Sequence, residues 1–191
     1  MTAPAHLAVG AAICSRVRRP WLGLALAFGA HFLLDAIPHF EQAHLVGEAI
    51  GLPGRYVWAA FGATTFGALT LVVLLLARRF RARPAHPRLR YLIAGGLLSD
   101  LPDCLKYLGG AESWFGRFHS AFHAQPYWGT ALYRLFAEPP VPATRPIPDE
   151  VLIHSPWAWA GWLLMIAFEL AVTIIAAAVA LTPPSGRSRR A

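Results

Sequence analysis

From Tyr56 to Ala77 the chain runs 22 residues without a charge, and from Pro156 to Leu181 it runs 26 residues with one, Glu169. At ~1.5 Å per residue either stretch, as a helix, crosses a hydrocarbon core of ~30 Å. The rest of the 191-residue chain agrees, with 56% hydrophobic and only 14% charged residues, against about 25% charged in a typical soluble domain. This patterning predicts an all-α, polytopic integral membrane protein. About four spanning helices are expected, with short re-entrant or interfacial helices between them.

Charge placement gives an orientation. The formal charge is +7, and the arginines gather at Arg16–Arg19, at Arg78–Arg90 and at Arg187–Arg190, each beside an apolar run. Such clusters mark cytoplasmic loops. Nucleic-acid binding is not expected, because no basic patch is interleaved with aromatics on a folded face. Two cysteines, Cys14 and Cys104, exclude a CxxC metal site, and Cys104 reads as a small buried residue rather than a ligand. The N-terminus lacks the basic leader of a cleavable signal, its arginines following the apolar stretch.

Along the chain, Ala3–Ser15 reads as a helix too short to span. A second helix runs from Pro20 to Ile37 and stops at Pro38. His39–Arg55 reads as a polar connection, Tyr56–Ala77 as a span, and Tyr91 opens a helix broken at Leu101–Pro102. Glu112–Phe136 reads as a re-entrant or interfacial helix pair, followed by an extended loop with five prolines between Glu138 and Asp149. Residues 1–182 are expected to form a single membrane-embedded domain, with 183–191 a disordered basic tail.

Ionisable groups inside such segments are expensive and usually mark function. His6, His31 and Asp100 each lie ten residues from a cytoplasmic boundary, at Arg16, Trp21 and Arg90, so each falls ~15 Å deep. Asp35 lies four residues beyond His31, and Glu169 twelve residues from Leu181. Four segments thus place polar groups in one layer, which requires them to face each other or a water-filled cavity.

His31 and Asp35 share a helix face, as do His119 and His123. Histidine and carboxylate at this spacing suit a transition metal, zinc first and manganese second. The candidate ligands are His6, His31, Asp35, Asp100, Asp103, His119 and His123. Asp100 and Glu169 are the candidate catalytic carboxylates. Arg117 and His39 are candidate substrate contacts.

Each has a plainer reading. His31–Asp35 would serve as a buried structural hydrogen bond, and Asp100 as a helix N-cap. His119 and His123 would sit in an aromatic belt beside Trp114, Phe118 and Phe122. Arg117 would be a snorkelling anchor, His39 an interface residue, and Glu169 a protonated, lipid-facing acid. Pro102 next to Asp100 and Asp103 argues for a site, since discontinuous helices at mid-membrane are where ion and substrate sites are built.

These motifs resemble the membrane-bound metal-dependent hydrolases of bacterial inner membranes, also described as LexA-binding. Thr2-Ala-Pro-Ala-His6-Leu-Ala-Val-Gly10 matches the family's opening, Ser99-Asp-Leu-Pro102-Asp103 its Pro-Asp-x-Asp, and Phe118-His119-Ser120 part of its Thr-His-Ser. His31–Asp35 matches its His-x-x-x-Asp, which closes the sequence in the family and comes early here. The His-Arg pair before Thr-His-Ser is replaced by Gly116-Arg117. The His-x-x-x-Asp pairing is also similar to ligand usage in zinc-dependent phospholipase C. The resemblance implies a bound metal and a hydrolytic reaction.

The function expected is therefore hydrolysis of a lipid or lipid-linked (phospho)ester by a metal-activated water, in a multi-pass protein of the bacterial cytoplasmic membrane. The alternative is a non-enzymatic membrane protein, ion-handling, proton-handling or structural, whose His/Asp cluster binds a metal or fixes helix packing. A bis-histidine haem protein is a further rival, although haem does not call for the carboxylates.

Overall fold

The computed structural model describes residues 2–37, 39, 43–79, 89–110, 112–123, 128–137, 142 and 145–182. Among these residues the chain is helical without strands. The helices are α1 (Ala3–Arg16), α2 (Pro20–Asp35), α3 (Ala43–Ala49), α4 (Gly54–Arg79) and α5 (Leu89–Gly109). They continue with α6 (Trp114–Ser120), α7 (Trp128–Phe136), α8 (Asp149–Ile153) and α9 (Pro156–Leu181). The fold is all-α, as the sequence predicts.

Local chemistry sets several boundaries. Pro20 and Pro156 occupy first-turn positions of α2 and α9, where the missing N–H costs nothing. Ser113 and Ser155 cap α6 and α9, their hydroxyls accepting from the N–H groups of Gly116 and Ala158. Gly110, at φ 79°, turns the chain out of α5, a conformation a side chain would resist.

Three expectations need correction. Helix α5 runs unbroken through Pro102, because a proline removes one ladder bond without forcing the rest of a packed helix to end. The His39–Arg55 connection contains α3, whose Ala43, Leu45 and Val46 are buried in the core that also holds Phe61, Leu152 and Trp162. Cys104 is exposed rather than buried. Glu112–Phe136 does hold a helix pair, α6 and α7.

Among the described residues, one helix, α9, is long and apolar enough to cross a membrane; α2 is apolar but 16 residues long. Four spans are not supported on this measure. In α5 the apolar run is diluted by Ser99, Asp100, Asp103 and Lys106. The loop Arg78–Arg90 lies mostly outside the described residues, as does the tail 183–191.

Helix α1 is central, touching α2, α4, α5 and α9. Its crossing with α5 depends on small residues. A Cβ on Gly10 would lie 2.3 Å from the Gly95 carbonyl oxygen and 2.6 Å from the Ser99 Cβ, and one on Gly95 would lie 2.3 Å from Cys14 Sγ. Gly10 and Cys14 thus face Gly95 and Ser99 four residues apart on each helix, the spacing that lets apolar helices approach closely. On the other side, Ala8 packs on Ala176 and Ala177 of α9.

The helix ends are also sorted. Arg16 and Ser15 donate to the Val179 carbonyl at the end of α9, and the Tyr91 hydroxyl donates to Pro20 at the start of α2. The C-terminal ends of α1 and α9 and the N-terminal ends of α2 and α5 therefore gather at one end of the bundle.

Gly95→Leu should lower the melting temperature of detergent-purified protein by an amount equivalent to ~1–3 kcal/mol, the usual cost of overpacking. Gly62→Leu is the control, because nothing lies within 4 Å of a Cβ there, and its melting temperature should stay close to wild type. Equal melting curves for both variants would contradict the close α1–α5 crossing.

Candidate metal centre

Helix α2 carries His31 and Asp35 one turn apart, both buried. The His31 Nε2 lies 3.0 Å from Asp35 Oδ2. Its other nitrogen, Nδ1, donates to the Ser99 carbonyl of α5 at 2.9 Å. That bond fixes the ring and leaves the Nε2 lone pair directed at the cluster, the arrangement by which outer partners orient a metal-binding histidine.

Helix α6 supplies His119, fully buried. Its Nε2 is 2.8 Å from His31 Nε2, 3.3 Å from Asp35 Oδ2 and 3.2 Å from Asp103 Oδ1. The Ser113 cap and the Gly110 turn hold this short helix against the end of α5, where Asp103 sits. His31, Asp35, Asp103 and His119 therefore offer one ligand atom each, all within 4.8 Å of one another. This group could hold a metal ion.

The convergence is electrostatically demanding. Burial opposes protonation of His119, but the carboxylates of Asp103 and Asp35 outweigh it, and the imidazole's pKa is raised above its usual 6.5. The carboxylates thus call for positive charge between the imidazoles, which a proton or a metal cation supplies. Donor types fit the metal well, since imidazole and carboxylate together suit zinc and manganese.

The remaining candidates divide. His6, on α1, is fully buried with Nε2 3.3 Å from Asp35 Oδ1. Its ring stacks on His31 with centroids 4.3 Å apart. His123, 16% exposed, lies 3.5 Å from Asp35 Oδ2 and 3.3 Å from His119 Nδ1, at the edge of the cluster. Asp100 lies beside the ligand group but outside it, and Asp103, one turn on, joins it instead. His39 is buried next to His123, its ring bonded through Nδ1 to the Ile37 carbonyl. Arg117 is exposed and donates to the Glu112 carbonyl.

Glu169 is buried on α9 and accepts from the Thr2 N–H at 2.9 Å. It sits at the N-terminus of α1, where a carboxylate meets unsatisfied donors and the positive end of the helix dipole. This use of Glu169 was not read from the sequence, because the partner is a backbone group 167 residues away.

An aromatic wall closes one side of the cluster. Phe32 packs edge-on to His31, and Phe118 and Phe122 pack on Phe32. The belt of aromatics and the histidine pair are thus parts of one arrangement. Asp103, with 26% of its side chain exposed, marks the side open to the exterior. A separate groove lined by Tyr133, Glu150, His154 and Trp157 holds none of the candidate residues.

No family model, curated protein or solved structure matches this chain.

Two substitutions separate the roles. Glu169→Leu should cost ~1–3 kcal/mol of stability by stranding a buried donor, while leaving metal content unchanged. Asp35→Asn should abolish metal retention, measured by elemental analysis after gel filtration. Loss of metal in Glu169→Leu at unchanged fold would place Glu169 in the metal centre instead.

Proposed function

We propose that this protein is a membrane-embedded, metal-dependent hydrolase acting on a lipid or lipid-linked (phospho)ester. The observation that carries the reading is the convergence of His31, Asp35, Asp103 and His119 from three helices onto one buried point. Such a set is costly to bury unless it binds something.

The membrane part of the proposal rests on an inverted distribution of residues. The interior holds His6, His31, Asp35, Ser99, His119, Glu169 and Thr173, while Leu26, Leu33, Phe66, Leu97, Leu163 and Ile175 are exposed. A third of the apolar window of α9 is buried, whereas the core helix of a soluble protein would be covered on most sides. Large exposed apolar surface over several helices fits lipid. With the arginine-rich ends assigned to the cytoplasm, the proposal is of a multi-pass protein of a bacterial cytoplasmic membrane. The cluster then lies toward the opposite face, since Asp103 is twelve residues, ~18 Å, from Tyr91.

In this reading His31, His119, Asp35 and Asp103 would hold a divalent metal, most simply zinc. Such an ion supplies a water of lowered pKa and polarises a phosphoryl or acyl oxygen. The chain's own contributions are positional. Ser99 holds His31 in its ligating tautomer, Phe32 and its aromatic neighbours exclude water on one side, and the partly exposed Asp103 leaves an approach on the other. Asp100, half-buried on α5 one turn before Asp103, is the carboxylate we assign to take a proton. The family resemblance of the short motifs points the same way.

A structural reading is favoured by one observation: four protein donors already complete a tetrahedral set, as in closed structural zinc sites. The two readings separate in one assay. A fluorogenic phosphodiester lipid in mixed micelles should be hydrolysed by the purified protein, and chelation should stop this. Asp103→Asn should reduce turnover by more than ~100-fold, beyond the usual cost of disturbing an outer partner. Stoichiometric metal with no turnover of ester or phosphodiester lipids would leave the structural reading.

Topology has its own test. Reporter fusions should place the Arg78–Arg90 loop in the cytoplasm and the Pro139–Pro148 segment outside. Both on one side would remove the orientation and the depth assigned to the site.

A further inference from the structure

We propose that the centre binds two divalent cations, the second held by His6, Asp35 Oδ1 and Asp100, with the Asp35 carboxylate shared between them. The proposal rests on the metal reading above and extends it.

The first observation is how Asp35 divides its oxygens. Oδ2 faces His31 at 3.0 Å, His119 at 3.3 Å and His123 at 3.5 Å, whereas Oδ1 faces His6 at 3.3 Å. A carboxylate whose two oxygens meet separate imidazole groups has the layout of a bridging ligand. The second is ring geometry. Imidazoles bound to one ion converge on it, but His6 and His31 stack at 4.3 Å with planes 28° apart. Near-parallel rings project their nitrogens side by side, at a spacing close to the ~3.5–4 Å that separates paired metals.

The third observation concerns groups left without partners. His6 is fully buried, yet neither of its ring nitrogens makes a hydrogen bond, its contact with Asp35 being at ion-pair distance without hydrogen-bond alignment. Asp100 Oδ1 and Ser99 Oγ are also buried without hydrogen-bond partners. Asp100 adjoins Ser99 on α5, and Ser99 packs against Gly10, one turn from His6 on α1. Buried polar atoms normally find hydrogen-bond partners, and here His6 Nδ1, Asp100 Oδ1 and Ser99 Oγ lack them. Imidazole and two carboxylates form a donor set suited to zinc or manganese.

The backbone explains why His6 reaches this position. Thr2, His6, Gly10 and Cys14 share one face of α1, and Gly95, Ser99 and Asp103 share one face of α5. The helices cross antiparallel, with Cys14 on Gly95 and Gly10 on Gly95 and Ser99. One turn further along α1, His6 arrives beside the polar turn of α5. The glycine contact thus delivers a histidine to the second position.

Detergent-purified, metal-stripped protein titrated with zinc, followed by desalting and elemental analysis, tests the proposal. Wild type should retain two zinc ions per chain, and His6→Gln and Asp100→Asn one each. Loaded with manganese, wild type should give the spin-coupled spectrum of a pair, and both variants the six-line signal of an isolated ion. Asp100→Asn keeps the side chain's shape, so it guards against a His6 variant that fails to fold. One ion in wild type and in both variants would overturn the second position while leaving the first. Two ions in every variant would overturn the assignment of His6 and Asp100. No ion in wild type would remove both the second cation and the metal reading it rests on.

Discussion

The carboxylate of Asp35 is the constraint around which the bundle is arranged. It is buried and lies within 3.5 Å of nitrogens from four histidines. Those histidines come from α1, α2 and the segment formed by α6 and its C-terminal turn. An unpaired buried charge is prohibitive, so a chain that keeps Asp35 inside must also bring these elements to it. Removing one partner from such a network costs more than the interaction gains, because the remaining charge is left uncompensated. The cluster therefore fixes the relative position of helices that apolar packing alone would let slide.

Sliding is a real hazard in this chain. Helix surfaces rich in leucine and alanine pack tolerably in many registers. Two features restore uniqueness. The Gly10–Gly95 crossing admits α1 only where both glycines coincide, and the Glu169 carboxylate accepts one particular N–H, that of Thr2. The first sets the distance between α1 and α5, and the second sets the height of α1 against α9. With both in place, His6 has no freedom left and is held against Asp35.

Much of this was legible in the sequence, for physical reasons. Helical spacing is a local property, so His31 with Asp35 and His119 with His123 could be placed on shared faces directly. Depth counted from the arginine clusters also brought α1, α2 and α5 into one polar layer. Long-range pairing was not legible. The distinction between Asp100 and Asp103 depends on the rotation of α5, which the Gly95 contact sets, and three residues of sequence turn a side chain by most of a turn. The pairing of Glu169 with a backbone N–H had no signature, since any residue at position 2 carries that donor. Pro102 misled in a different way: it predicts a break, but tertiary packing on both sides keeps α5 whole.

The turn of α5 beside this proline positions the site. With no N–H at residue 102, the Leu98 carbonyl loses its helical donor, and the turn of α5 containing Ser99 is the one that meets α2. There the Ser99 carbonyl accepts from His31 Nδ1, using one of two lone pairs. A backbone acceptor cannot be protonated or rotated away, so it orients the ring more firmly than a hydroxyl would. His31 is thereby committed to presenting Nε2 to Asp35 and His119. The polar turn from Ser99 to Asp103 thus acts at two points: a carbonyl that orients a ligand and a carboxylate that joins the ligand group.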